Sequence, residues 1–149
     1  MSDPVPLGFP YAIGEAVMTA LTGDAALAGC ALRANPEKPA DIADGRRLLV
    51  FKDAADALKD QSGNAAERTY TFQAGALART ADARAQAHTD YRAAKRAIRA
   101  AITAMAQGGV NVRGQVRETN VSYQLENIDV GGCLVLGTFA VDYRDLNGF

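Results

Sequence analysis

Tryptophan is absent from this chain, and histidine occurs once, at His88. A single imidazole excludes a multi-histidine metal centre. Cysteine occurs twice, at Cys30 and Cys133. Two thiols cannot build a disulfide framework, and no C-x-x-C pair is present. Both lie in apolar surroundings and read as buried free thiols. The chain also lacks G-x-x-x-x-G-K-[ST], and with it that kind of phosphate cradle, and it lacks the G-x-S-x-G nucleophile turn. Gly108-Gly109 and Gly131-Gly132 do not have dinucleotide-binding spacing; they read as a helix stop and a turn. No apolar run approaches the ~20 residues that span a bilayer.

An excess of either charge is missing as well. Sixteen Lys and Arg against seventeen Asp and Glu leave a formal net charge of −1. That gives no bulk attraction to nucleic acid or to an acidic membrane. The opening MSDPVPLGFP has neither the basic start nor the apolar stretch of a secretory signal. Asn120-Val121-Ser122 is then a chance match to the glycosylation triplet. The expectation is a soluble protein made in the cytosol. What is present is ordinary globular material: 149 residues, 48% hydrophobic and 22% charged. That length suits one domain, able to bury roughly two-thirds of its unfolded surface.

Periodicity supplies the elements. Pro4, Pro6 and Pro10 keep the first ten residues irregular. A helix is predicted over residues 11–21, with Ile13, Val17, Ala20 and Leu21 on one side. CALRANP, from Cys30, reads as a short strand stopped by Asn35-Pro36. RLLVFK, residues 47–52, is a second strand whose apolar run is too dense to assign one face. Residues 69–74 form a third, with Tyr70 and Phe72 alternating against Thr69, Thr71 and Gln73. The stretches 35–46 and 54–67 are read as long polar loops.

The strongest pattern is a helix from Thr80, taken as N-cap, to about Met105. Ala87, Tyr91, Ala94, Ile98, Ala101, Ile102 and Met105 share one face of it. Two long strands follow. Val112 and Val116 have the opposite parity to Val121, Tyr123 and Leu125, which predicts a bulge near residues 117–120. Phe139, Val141 and Tyr143 alternate in the last strand. These elements sum to an α+β fold: a mostly antiparallel sheet of about five strands, with the long helix and the shorter N-terminal helix on one face.

Chemistry is thin. His88 falls at the border of the apolar helix face, so a packing role is favoured over that of general base. Nothing places Cys30 or Cys133 beside it. A cavity gathering His88 with acids or a thiol would count against a purely structural role. Arg84, Arg92, Lys95 and Arg99 form a basic row within about a quarter-turn of the helix. That row reads as a solvated flank before it reads as a phosphate or acidic-partner surface. Ala93, Ala97, Ala100 and Ala104 form a small-residue side. Helix propensity explains it, and close packing of another subunit is the alternative. The two loops hold Glu37, Lys38, Asp41, Arg46, Asp56, Lys59, Asp60 and Asn64, which suit polar protein contacts or plain solvation. No residue is assigned to catalysis, a cofactor or a metal.

The order of helix, strand ending in Asn-Pro (CALRANP), central strand (RLLVFK), polar excursion, aromatic strand (RTYTFQ), long helix and two long strands ending in TFAVDYRD resembles the tail terminator, or tail completion, proteins of long-tailed phages and phage-like particles. The resemblance spans nearly the whole chain and rests on element order and strand character, with no diagnostic short motif. It implies a structural virion protein and not an enzyme. Copies would form a ring, typically a hexamer, on the head-proximal end of the tail tube. The ring would stop tube polymerisation and present a surface to the head connector, and DNA would pass through its lumen. It also implies assembly in the bacterial cytoplasm and no membrane partner. Neighbour and tube contacts are then expected in residues 35–46 and 54–67. Deleting residues 56–64 should leave a folded chain that fails to terminate tails. The rivals are a head–tail connector or adaptor of the same particle, a small ligand-binding or enzymatic α+β domain, and a nucleic-acid-binding module using the basic row.

Overall fold

A computed structural model describes residues 5–35, 47–125 and 132–146. The chain runs through α1 (Phe9–Gly23), a 3₁₀ turn (Ala25–Leu27), β1 (Ala31–Ala34), β2 (Arg47–Ser62), β3 (Ala65–Ala78), α2 (Ala83–Gln107), β4 (Val112–Leu125) and β5 (Cys133–Asp145). Among the described residues five strands form one sheet in the order β1-β2-β3-β5-β4. Only β1 and β2 are parallel; the other neighbours are antiparallel. The fold is α+β with helices packed on a sheet, as the periodicity predicts.

The helix-facing side of the sheet is built on an aromatic ladder. Phe72 stands directly opposite Phe139 across β3 and β5. Their rings stack at 5.5 Å, as do those of Phe51 and Phe72. Such pairs contribute about 0.5–1.5 kcal/mol each beyond their burial. α1 lays Phe9 on Tyr143 at 4.9 Å, and α2 lays Tyr91 on Phe139 at 6.4 Å. The last strand can come this close to the helix because position 137 is glycine. A Cβ there would overlap the Tyr91 hydroxyl and crowd the Phe139 ring. Val116 and Val121 both face the helices, because β4 shifts register between Glu118 and Asn120. That is the bulge the broken parity predicts, and a second irregularity lies between Val112 and Val116.

Several boundaries differ from the sequence expectation. α2 begins at Ala83, with Asp82 at its N-cap position and no side-chain cap. Thr80 is therefore not the cap; its hydroxyl is buried with no hydrogen-bond partner among the described residues. α1 starts two residues earlier than expected, with Pro10 tolerated in its first turn.

The larger correction concerns 54–67, which is not a loop. β2 and β3 form one long hairpin joined at Gly63-Asn64, with Ser62 opposite Ala65. Gly63 has a φ of 61°, the positive value that two-residue hairpin turns of the primed types require. Two physical facts hide this strand in the sequence. Register shifts at Asp53/Ala55 and Leu58/Asp60 break the period of two. The residues it sends toward the helices are acids, held by tyrosine hydroxyls in place of apolar neighbours. Tyr70 donates to Asp53, and Tyr143 donates to both oxygens of Asp56 at 2.8 and 2.9 Å.

Candidate assembly surfaces

The expected partner residues fall into three groups. Glu37, Lys38, Asp41 and Arg46 lie outside the described residues. Asp56 is exposed but already bonded within the chain: besides Tyr143 it holds Arg68 at 3.0 Å. Removal of 56–64 would take half of β2 with it, so that deletion cannot isolate an assembly defect. Lys59, Asp60 and Asn64 remain exposed on the outer half of the hairpin, with Leu58 beside them 47% exposed. Among the described residues, β1 covers only the Leu48–Phe51 stretch of that edge.

Lys59 reaches over the sheet face opposite the helices to Asp142 at 3.4 Å. Asp142 also accepts from both Arg117 guanidinium nitrogens at 2.8 and 3.3 Å and from Thr69 at 2.7 Å. Arg117 foremost, then Thr69, holds its carboxyl down to about 2. A depressed folded value contributes stability above the unfolded pKa near ~4, and that stability is lost as pH falls through about 2. Asp142→Asn is expected to cost on the order of 2 kcal/mol at neutral pH. It should also flatten the stability profile between pH ~4 and ~2. Urea titrations of both proteins across that range check this; profiles that stay parallel would refute it.

The basic row lies along the seam between α2 and the edge strand β4. Arg84 borders a cleft with Tyr123 and Gln124. Arg92 borders the next, with Glu118 and Val121, and Arg99 a third, with Gln115 and Val116. The first two clefts hold about 450 and 600 Å³. Lys95 is already paired with Glu118 at 3.0 Å. Burial pushes the Glu118 carboxyl up, but the Tyr91 hydroxyl, Lys95 and the field of Arg99 outweigh it and keep it below the usual range. Arg84 and Arg92 have no hydrogen bond or ion pair among the described residues, and Arg99 has none at bonding distance.

The structure brings His88 and Cys133 together where the sequence gives no reason to expect it. Both border the first cleft, beside Arg84. No hydrogen bond joins them among the described residues. The imidazole instead stacks on Tyr123 at 5.3 Å, and Tyr123, the outer wall, is 63% exposed. This is a groove open to water, not a closed reaction chamber. Among the described residues no group of three or more His, Cys, Asp or Glu could hold a metal.

The alanine side of α2 divides. Ala93 and Ala97 are buried, on a helix packed against both α1 and the sheet. Their small size is used inside the chain. Ala104 remains exposed and lines an apolar groove with Ala16, Ala20 and Met105.

Sequence reasoning missed the buried charge entirely. Asp90 is 1% exposed. It accepts from Arg47 through both Nε at 3.0 Å and Nη2 at 2.7 Å, and from Gln86 at 3.0 Å. Cys30 Sγ lies 3.7 Å from it. Burial first, then Asp90, pushes the Cys30 thiol up to about 11, so it stays protonated and donates. Both cysteines are free and only half-buried. This cluster ties α2 to the start of β2 and leaves no reactive thiolate there.

No protein-family model matches this chain, and no curated protein matches it significantly. No described helix is long and apolar enough to cross a membrane.

Proposed function

We propose that this chain is a structural particle protein, a tail terminator of a long-tailed phage or phage-like particle. Its copies form a ring, a hexamer by the resemblance, on the head-proximal end of the tail tube. The ring ends tube polymerisation and offers the surface to which the head connector attaches. DNA passes through its lumen, and the protein assembles in the host bacterial cytoplasm. The observation that supports this reading most is the element order, α-β-β-β-α-β-β with both helices on one sheet face, on which the resemblance rests. Two further features suit assembly. Among the described residues the sheet ends on a long strand, β4, and β2 is paired on its β1 side only over Leu48–Phe51. Exposed edges of that length are either protected or used for pairing.

The head–tail connector or adaptor of the same particle is the neighbouring alternative. A small ligand- or nucleic-acid-binding domain is the alternative from another class; the shared border of His88 and Cys133 and the basic row are what speak for it. One experiment separates them. Purified protein is added to growing tail tubes and imaged by negative stain. A terminator caps one end and narrows the length distribution. A connector binds tailless heads and leaves tube length unchanged. Protein that binds neither particle, with tubes growing to unregulated length, overturns the reading. Asp60→Lys with Asn64→Lys, at the exposed hairpin tip, is expected to reduce capping about tenfold or more while leaving the unfolding midpoint unchanged. Full capping by that variant would remove the hairpin tip from the contact.

A further inference from the structure

Between Arg84 and Arg99 the helix itself carries one aromatic ring, Tyr91, and it is buried. The fold adds another from β4. Tyr123 stands between Arg84 and Arg92, since with His88 it borders both the cleft flanked by Arg84 and the cleft flanked by Arg92. Its ring stacks on the imidazole at 5.3 Å with the planes 17° apart, yet it is 63% exposed. One face of the ring is therefore covered and held, and the other is open to water. An aromatic platform fixed in this way loses little freedom when a second flat ring lies on it.

The charge around the platform is of one sign. Among the described residues that border the three clefts there are four cations, Arg84, Arg92, Lys95 and Arg99, and one acid, Glu118. Glu118 is already taken by Lys95 at 3.0 Å and the Tyr91 hydroxyl at 2.6 Å. The seam thus carries a surplus of three positive charges in a chain whose formal net charge is −1. Arg84, Arg92 and Arg99 are eight and seven positions apart, about 12 and 10 Å along the axis at ~1.5 Å per helical residue. At the ~3.4 Å rise of a stacked strand each step takes up about three nucleotides.

We propose that the α2–β4 seam binds single-stranded nucleic acid, with backbone phosphates on Arg84, Arg92 and Arg99 and a base stacked on the open face of Tyr123. A basic groove that tracks a backbone, interrupted by an aromatic platform, is the arrangement that holds single strands without reading their sequence. An acidic peptide would satisfy the guanidiniums but leave the Tyr123 face and the clefts beside it, of about 450 and 600 Å³, unfilled. A duplex keeps its bases paired and offers none to the ring. This surface is a further activity and does not depend on the tail-terminator reading.

The test is fluorescence anisotropy of an end-labelled oligothymidine of about twelve nucleotides, titrated with the full chain between about 50 and about 500 mM salt. Three phosphate contacts predict a slope of about −2 in log affinity against log salt, roughly a hundredfold loss over that range. Arg92→Gln should make that slope shallower by about 0.7. Tyr123→Ala should weaken binding roughly tenfold with the slope unchanged, and Tyr123→Phe should keep the wild-type affinity. Both side chains are exposed, and circular dichroism verifies that each variant folds. A wild-type chain that leaves the oligonucleotide free at about 50 mM salt overturns the inference. So does Tyr123→Ala binding as tightly as the wild type, because the arginines would then form a general polyanion surface; polyglutamate competing as well as unlabelled oligonucleotide would say the same. Equal affinity for the same strand in duplex form overturns it too. Tube capping is read separately, so a chain that caps tubes and ignores the oligonucleotide keeps its function and loses this surface.

Discussion

Asp90→Ala is expected to destabilise the protein by about 3 kcal/mol or more, the range for breaking a buried pair by removing one partner. The carboxylate is the anchor for three donors from three parts of the chain: Arg47 at the start of β2, Gln86 one turn earlier on α2, and the Cys30 thiol just before β1. Deleting it leaves the Arg47 guanidinium, whose side chain is only 27% exposed, without its counter-ion. Asp90→Asn keeps the volume and part of the hydrogen bonding, and should lose less. Replacing Arg47 and Asp90 together with leucine should recover most of the loss, because an apolar pair leaves no charge unmatched. Urea unfolding of the four proteins measures this. A loss under ~1 kcal/mol for Asp90→Ala would mean that Arg47 finds water readily and that the cluster contributes little.

Gly137→Val is expected to be as severe, about 3 kcal/mol or failure to fold. Gly137 lies on β5, which is bonded on both sides to β3 and β4, so the backbone cannot retreat. The first atom a Cβ meets is the Tyr91 hydroxyl, and the next is on the Phe139 ring. The cause is testable because the obstructing atom is removable. Tyr91→Phe alone loses the 2.6 Å bond to Glu118, worth about 1–2 kcal/mol. In combination with Gly137→Ala it relieves the overlap, so the double variant should be more stable than the sum of the two singles by about 1 kcal/mol. Additive losses would show that α2 moves aside and that the contact with Gly137 is not what sets its height above the sheet.

Much of this architecture was legible because its faces are apolar. Phe139, Val141 and Tyr143 alternate without interruption, and the structure places all three on the helix side of the sheet. The long helix and the β4 bulge were legible for the same reason. The outer half of β2 was not, since an acid held by a tyrosine hydroxyl is indistinguishable in sequence from an acid in water. One signal was available there: Gly63-Asn64 is a two-residue hairpin turn pattern. RLLVFK resisted a choice of face because both faces are buried. Leu49 and Phe51 meet the helices, while Leu48 and Val50 are covered on the other side. Asp90 was invisible because its partners are 43 and 60 positions away, beyond the reach of any local pattern. The basic row was legible as a row, but its position along a sheet edge follows only from the sheet order.

That order also bears on how the molecule is made. Of the five described strands β5 is synthesised last, yet it sits between β3 and β4 and bonds to both. Before it leaves the ribosome, the nascent chain has a β2–β3 hairpin and a separate β4, each with an open flank, and α2 has no completed floor beneath Tyr91. The hydrophobic interior therefore closes in one late, non-local event once the chain has emerged through Asp145. Such long-range closure is slow, and the waiting intermediate is prone to stick to its neighbours. Expression yield, more than the final stability of the protein, should respond to changes in β5.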